Sequence, residues 1–230
     1  MKILAIDTTS HGCSVAITDD KHLVAELNFQ KQETHSRHLM GIVDRILNVS
    51  GMDIQDIGGF AVAQGPGSFT GLRIGLSTLK GLAFVTGKPI VGVSSLEALA
   101  LGVPCLNMPV CALIDARKNE VYMACYTHES GVLVTRRRPC AVGPDNLCDG
   151  ITTQTVFVGT GLDVFGKIIQ RELGDLAILV PSAFRHIRAR HVAELSFSRF
   201  ESEQTDEASM IIPQYIRKSD AEINQLKPGV

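Results

Sequence analysis

Two stretches of the chain hold residue types that could meet a charged ligand. Gly65-Pro66-Gly67-Ser68-Phe69-Thr70-Gly71-Leu72-Arg73-Ile74-Gly75 runs from a short apolar segment into a helical pattern. A glycine-rich turn that opens a helix exposes backbone N–H groups and favours anions there. The block fits neither the phosphate loop that ends in Gly-Lys-Ser/Thr nor the dinucleotide turn, because Thr70 stands where a third glycine is required. A steric reading stands beside it: a tight turn and a helix whose Gly71 and Gly75, four residues apart, let a second backbone approach. The second stretch, Asp7-Thr8-Thr9-Ser10, ends the first apolar run. An acid followed by hydroxyls can hold a hydrated metal or approach phosphates, and the same residues also serve as plain turn and capping groups. His35 and His38 are spaced for metal ligation but lack a third ligand, so they are read as capping or surface residues. Arg136-Arg137-Arg138 and the cluster of Arg185, His186, Arg188, Arg190 and His191 are read as solvated faces. No Ser-His-Asp set and no paired carboxylates occur at meaningful intervals.

These residues need elements to position them. Residues 2–7, 13–18 and 23–29 read as strands separated by the turns at 8–12 and 19–21, which is an antiparallel meander. Over 36–50 the period changes: Leu39, Ile42, Val43, Ile46 and Leu47 recur at helical spacing, and Gly51 ends the run. With Met40 included, that apolar stripe is wider than one core usually buries. It fits a second packing partner, or a helix buried on two sides within one domain. A strand at 60–63, a helix at 72–85 with Leu72, Leu76, Leu79 and Ala83 on one stripe, a strand at 89–93 and a helix at 95–101 follow. Prolines and a glycine at 102–109 mark a boundary, giving lobes of 1–104 and 105–230. The meander then repeats at 110–116, 120–127 and 132–136. Strands at 155–158 and 177–180 and helices at 162–172 and 187–200 complete the second lobe. The pattern predicts an internal duplication of one αβ unit, with Ile6-Asp7 against Ile114-Asp115 as its clearest trace.

Composition excludes whole classes. Apolar residues are 45% and charged residues 20% of the 230, too apolar and too weakly charged for a disordered chain. There are 8 basic and 9 acidic residues up to Val110, and 14 and 15 after it, so neither half is a cationic nucleic-acid coat. No stretch is long and apolar enough to span a membrane, and an acid at position 7 interrupts any secretory leader. Cys13, Cys105, Cys111, Cys125, Cys140 and Cys148 include no Cys-x-x-Cys pair. Cys111 and Cys125 lie in apolar runs and are read as small buried thiols of a protein in the reducing cytoplasm.

Ile3-Leu4-Ala5-Ile6-Asp7-Thr8-Thr9, the block from Gly65 to Gly75, and Pro213-Gln214-Tyr215-Ile216-Arg217-Lys218 together resemble the bacterial TsaB family, also called YeaZ. The resemblance runs nearly end to end and is strongest over the first hundred residues. It implies an α/β fold of the actin, Hsp70 and sugar-kinase type (ASKHA): two lobes, each with a mixed sheet and flanking helices. It also implies a role in making N6-threonylcarbamoyladenosine in tRNAs that read codons beginning with A. In that system TsaC makes threonylcarbamoyl-adenylate and TsaD, a paralogue of TsaB, transfers the group. TsaB binds TsaD as a scaffold without transfer activity, and the ATPase TsaE acts on the complex.

Several site expectations follow from the resemblance. The two metal-binding histidines of TsaD-like enzymes fall on Ser95 and Leu99, which are poor ligands or none, so neither a metal nor a catalytic residue is expected. Asp7, Thr8, Thr9 and Ser10 stand where the fold places its first phosphate loop. No cofactor of the chain's own is expected, and ATP or ADP only within the complex. Leu39, Met40, Val43, Leu47, Gly71, Gly75, Leu76 and Leu79 are the expected partner interface on the two helices of the first lobe. The partner is TsaD, or a second copy when the chain is alone, with tRNA contacted weakly or indirectly. Val43→Glu is then expected to weaken TsaD binding while the lobe stays folded. The alternative reading is an active actin-fold ATPase or kinase, or a glycoprotease-like metallopeptidase. The missing histidines oppose the peptidase. The lack of an adenosine pocket, or of an acid beyond Asp7, opposes the kinase.

Overall fold

The computed structural model describes residues 1–10, 12–30, 35–104 and 107–217, and the side chains among them except those of 35–37. His11, Cys105 and Lys218, and the side chains of His35 and Ser36, lie outside the described residues. Lys2–Asp7 (β1), Gly12–Asp19 (β2) and His22–Gln30 (β3) form the expected meander, with Leu4 opposite Ile17 and Ile6 opposite Val15. After helix α1 (His35–Val49), β4 (Gly59–Gly65) pairs in parallel with β1. Helix α2 (Phe69–Thr86) then leads to β5 (Ile90–Ser94), parallel to β4, and α3 (Ser95–Leu101) follows at once. The sheet order is β3-β2-β1-β4-β5.

The second half repeats this plan. Val110–Arg117 (β6), Glu120–Glu129 (β7) and Val132–Val142 (β8) form a meander. Thr155–Val158 (β9) joins β6 in parallel, and helix α4 (Gly161–Leu173) leads to Ala177–Leu179 (β10). The order β10-β9-β6-β7-β8 is the first sheet's order run from its other end. Where the first half has α1, the second has only a helical turn at Pro144–Asn146. Strand β8 outlasts its expected end at 136 by six residues. It is an edge strand, so Arg136, Arg137, Arg138 and Pro139 interrupt the apolar alternation without ending the pairing.

Strand β1 is buried on both faces, and its side chains go to two different cores. Leu4 and Ile6 pack under α1 and α2, while Ile3 and Ala5 face the space between the sheets. That space holds α3 and helix α5 (Ala189–Glu201). Its walls are lined with small residues: Ala16, Ala61 and Ala63 from one sheet, Ala112 and Ala124 from the other, Ala98 and Ala193 from the helices. Small side chains allow a helical layer to sit close between two sheets. The layers thus run α1/α2, sheet, α3/α5, sheet, α4.

The helices of the middle layer are exchanged between halves. α3 packs on β6 of the second sheet, and α5 packs on β1 and β2 of the first. The N-terminus of α5 is capped from afar: the Ala189 N–H donates to Ser14 Oγ at 2.8 Å and the Arg190 N–H to Glu26 at 3.3 Å. A cut at 104/105 therefore does not separate two independent lobes, because α5 returns to the first sheet.

One cysteine reading is corrected. Cys111 and Cys125 stand opposite each other on β6 and β7, with Cα atoms 4.2 Å apart, and are joined as a disulfide. Apolar neighbours along the sequence marked both as buried thiols, whereas the antiparallel register decides that they face each other. Cys13, Cys140 and Cys148 are free.

Candidate functional site

The loop after β1 is knotted by its own side chains. Asp7 Oδ1 accepts from the Thr9 N–H at 3.0 Å and from Thr9 Oγ1 at 2.6 Å. Thr8 Oγ1 donates to the Gly71 carbonyl at 2.7 Å, and the Ser68 N–H donates to the Thr9 carbonyl, also at 2.7 Å. The glycine-rich block is the other side of this contact. A Cβ at Gly71 would lie 1.9 Å from the Thr8 carbonyl oxygen, and one at Gly67 2.6 Å from that of Thr9. At Gly75 it would meet Thr8 Oγ1 at 2.5 Å. The steric reading of the block is the one the structure realises: its glycines let α2 press onto the first loop. Ser68 caps α2 by accepting from the Gly71 N–H, which starts the helix three residues before the apolar stripe does.

That packing leaves Asp7 and Thr8, half of the expected phosphate-proximal set, behind the loop surface. Asp7, Thr8 and Thr9 are buried, and burial pushes the Asp7 carboxyl up to about 6 despite the two bonds from Thr9. Between the sheets' strand ends lies a cavity of about 720 Å³. Thr9 and Ser10 reach its wall, while Asp7 and Thr8 do not line it.

The opposite wall comes from the second half. The β6–β7 hairpin turns through Arg117, Lys118 and Asn119, at φ of 59°, 52° and 60°. Asp115 Oδ1 accepts from the Arg117 N–H at 2.8 Å, and the Asp115 N–H reaches Thr160 Oγ1 at the start of α4. Arg117, Lys118, Tyr122, Thr160 and Arg217 all line the cavity. Sequence reasoning missed Arg117, Lys118, Tyr122 and Thr160 because none belongs to a recognisable motif, and it placed Arg217 in the closing motif without giving it a site. The Ile114-Asp115 trace of the duplication was the one signal that sets the second hairpin opposite the first loop.

Ser95 and Leu99 are buried in the core between the sheets, and Leu99 packs beside Gly159. Among the described residues no group of three or more His, Cys, Asp and Glu side chains could hold a metal ion. No helix of the described residues is long and apolar enough to cross a membrane.

The expected partner surface is corrected at most of its positions. Leu39, Val43 and Leu47 are buried in the core that α1 shares with α2, β1 and β2, Val43 at 1% exposure. Gly71, Gly75, Leu76 and Leu79 are also buried. The wide stripe of α1 has its second packing partner inside the chain, because α1 lies over β2 and β3 and also against α2. Of the eight residues only Met40 is exposed, at 50%. Met40 shares the exposed side of the two helices with residues outside that set: Gly41 and Asp44 on α1, and Ser77, Gly81 and Phe84 on α2. Phe84 is 86% exposed, and Gly41 and Gly81 have open space above them.

Two copies of a meander-and-crossover unit, facing across a cleft with their inner helices exchanged, place the protein in the actin-like fold class. Residues 29–225 match the family model described as TsaD, tRNA N6-adenosine threonylcarbamoyltransferase. The tRNA threonylcarbamoyladenosine biosynthesis protein TsaB of Escherichia coli is 36% identical over 80% of this chain and 83% of its own. That of Bacillus subtilis is 32% identical over 96% of each chain. The solved structure of YeaZ from Pseudomonas aeruginosa superposes with a TM-score of 0.82 at 27% identity, covering 93% of this chain and 99% of that one. The chain belongs to the TsaB family.

Proposed function

We propose that this chain serves tRNA threonylcarbamoyladenosine biosynthesis as a non-catalytic subunit that binds TsaD and supports its transfer of the threonylcarbamoyl group to tRNA. The observation that carries this reading is a TsaD-family match over 29–225 in which Ser95 and Leu99, the positions the resemblance gives to metal-binding histidines, are sealed in an apolar core. Leucine has no donor atom, and a lone buried serine is a poor ligand for a transition metal. The outer face of α1 and α2 supports the binding half of the reading. Exposed Met40 on α1 and exposed Phe84 and Val85 on α2, with open space at Gly41 and Gly81, are the kind of apolar exposure that marks a protein partner.

On this reading the partner is TsaD, TsaE meets the chain through the complex, and the same face supports self-association when TsaD is absent. ATP or ADP is held only in the complex, and tRNA is contacted weakly or indirectly. The test is to mix the purified chain with TsaD from the same source. Complex formation is measured by sedimentation, and threonylcarbamoyl transfer to tRNA is measured with each protein alone and with both. A stable complex, with transfer that requires TsaD and rises on adding the chain, is the expected result. Transfer by the chain alone, or no complex at micromolar concentration, overturns it.

A further inference from the structure

The segment that follows α5 crosses the molecule and reaches the cavity at Arg217. Asp206 bridges to Ile90 and accepts from the Gly92 N–H at 2.8 Å and from Arg199 at 2.9 Å. Ile211 is buried in the core under α2. The Gln214 N–H donates to the Gln64 carbonyl at 2.7 Å, and the Gln214 carbonyl passes so close to Gly65 that a Cβ there would lie 2.5 Å away. Up to this point the segment belongs to the first sheet.

The next three residues leave it. Tyr215 stacks on Phe69, with ring centroids 4.2 Å apart and planes within 7°, and its hydroxyl accepts from Arg73 Nε at 3.2 Å. Ile216 packs on the core between the sheets. Arg217 donates to Glu120 at 2.7 Å, on the hairpin of the second sheet. Phe69 and Arg217 are both cavity-lining residues. The stretch is therefore fixed through Gln214 to β4, through Tyr215 to the first turn of α2 and through Arg217 to the β6–β7 hairpin, beside the cavity.

We propose that residues 213–217 are an interlobe latch that holds the cleft mouth at its width and couples the α2 turn to the opposite hairpin. The attachment is lopsided. The first-sheet end has a backbone hydrogen bond, an aromatic stack and a glycine shaped to receive it. Ile216 packs on the core that both sheets share, and the second-sheet end has a partly exposed ion pair. Partly exposed ion pairs are weak and screened by salt, so the latch releases from the hairpin side first. The hairpin it holds is built from left-handed residues other than glycine, a backbone state that persists only when its surroundings fix it.

Hydrogen–deuterium exchange read by mass spectrometry on the full chain tests this. In Arg217→Glu, exchange is expected to rise at least fivefold in the 117–121 hairpin and also in the 68–73 turn of the other lobe. Pairing it with Glu120→Arg restores the attraction and should bring both segments back to within twofold of the parent. A bond that merely stabilises the hairpin moves the hairpin alone, and that result overturns the latch, as does no change in either segment. Should Arg217→Glu fail to fold, Arg217→Ala and Arg217→Lys carry the same contrast. The first should loosen both segments, the second neither, and any other pattern rejects the coupling.

Discussion

Asp7, which is buried, and His191, which is half-buried, are titratable groups with opposite consequences for stability. Burial raises the Asp7 carboxyl from 3.8 to about 6. The folded chain then holds that proton more tightly than the unfolded one. Its contribution is fully present below 3.8 and is lost as pH rises through 6. His191 is lowered from 6.5 to about 4, by burial first and by the neighbouring Arg190 next. Its contribution is present above 6.5 and is lost as pH falls through 4. Between pH 4 and 6 the two slopes oppose, so together they leave stability nearly flat. Asp7→Asn removes one of them while its side-chain oxygen can still accept from Thr9. We expect this variant to be more stable than the parent by roughly 2–3 kcal/mol at pH 7.5, at about 1.4 kcal/mol per pKa unit. The gain should shrink to nothing near pH 4. Urea unfolding at four pH values checks it, and a pH-independent difference rejects a buried, uncharged-preferring Asp7.

At the scale of elements, the two helices of the first lobe have one face each in the core and one face each in solvent, and substitutions sort by face. Val43→Glu places a lone carboxylate where exposure is 1%, at a cost of several kcal/mol. It should unfold the first lobe instead of leaving a folded chain with weak partner binding. Phe84→Glu adds charge to a side chain already in water and should leave the melting temperature within about 2 °C, because exposed substitutions usually cost under about 0.5 kcal/mol. On the proposed function it should weaken TsaD binding at least tenfold, which is about 1.4 kcal/mol. Thermal unfolding and titration calorimetry on the two variants separate the outcomes. A folded Val43→Glu would show that the core does not close over α1. A Phe84→Glu that binds as the parent does would remove this face from the interface. The α1 stripe was legible as helical from its spacing. What it packs against was not, because apolar width reads the same whether the second neighbour is α2 or another chain.

The whole molecule is held together by the exchange of α3 and α5 between its halves, and α5 depends on a cap supplied 175 residues away in sequence. Ser14→Ala removes the acceptor for the Ala189 N–H inside the core. It should lower stability by about 1 kcal/mol, or about 2–4 °C in melting temperature for a chain of this size. Ser77→Ala on the exposed face of α2 should do neither, and equal effects from the two would discount the cap. Most strands and helices, the duplication and the family resemblance were legible along the chain, because periodicity, turn residues and motif spacing are local properties. The end of β8 and the start of α2 were not, being set by edge pairing and by the Ser68 cap. The sequence also located the glycine-rich block while leaving its purpose open. Three-dimensional packing was needed to show that those glycines admit the Thr8-Thr9 backbone and that Asp7 is sealed. It alone decided that Cys111 meets Cys125, that the expected interface leucines lie inside, and that the last helix belongs to the first sheet. Each of these depends on which surfaces meet across long separations, and a pattern along the chain records that a surface is apolar, small or hydroxylated without recording its neighbour.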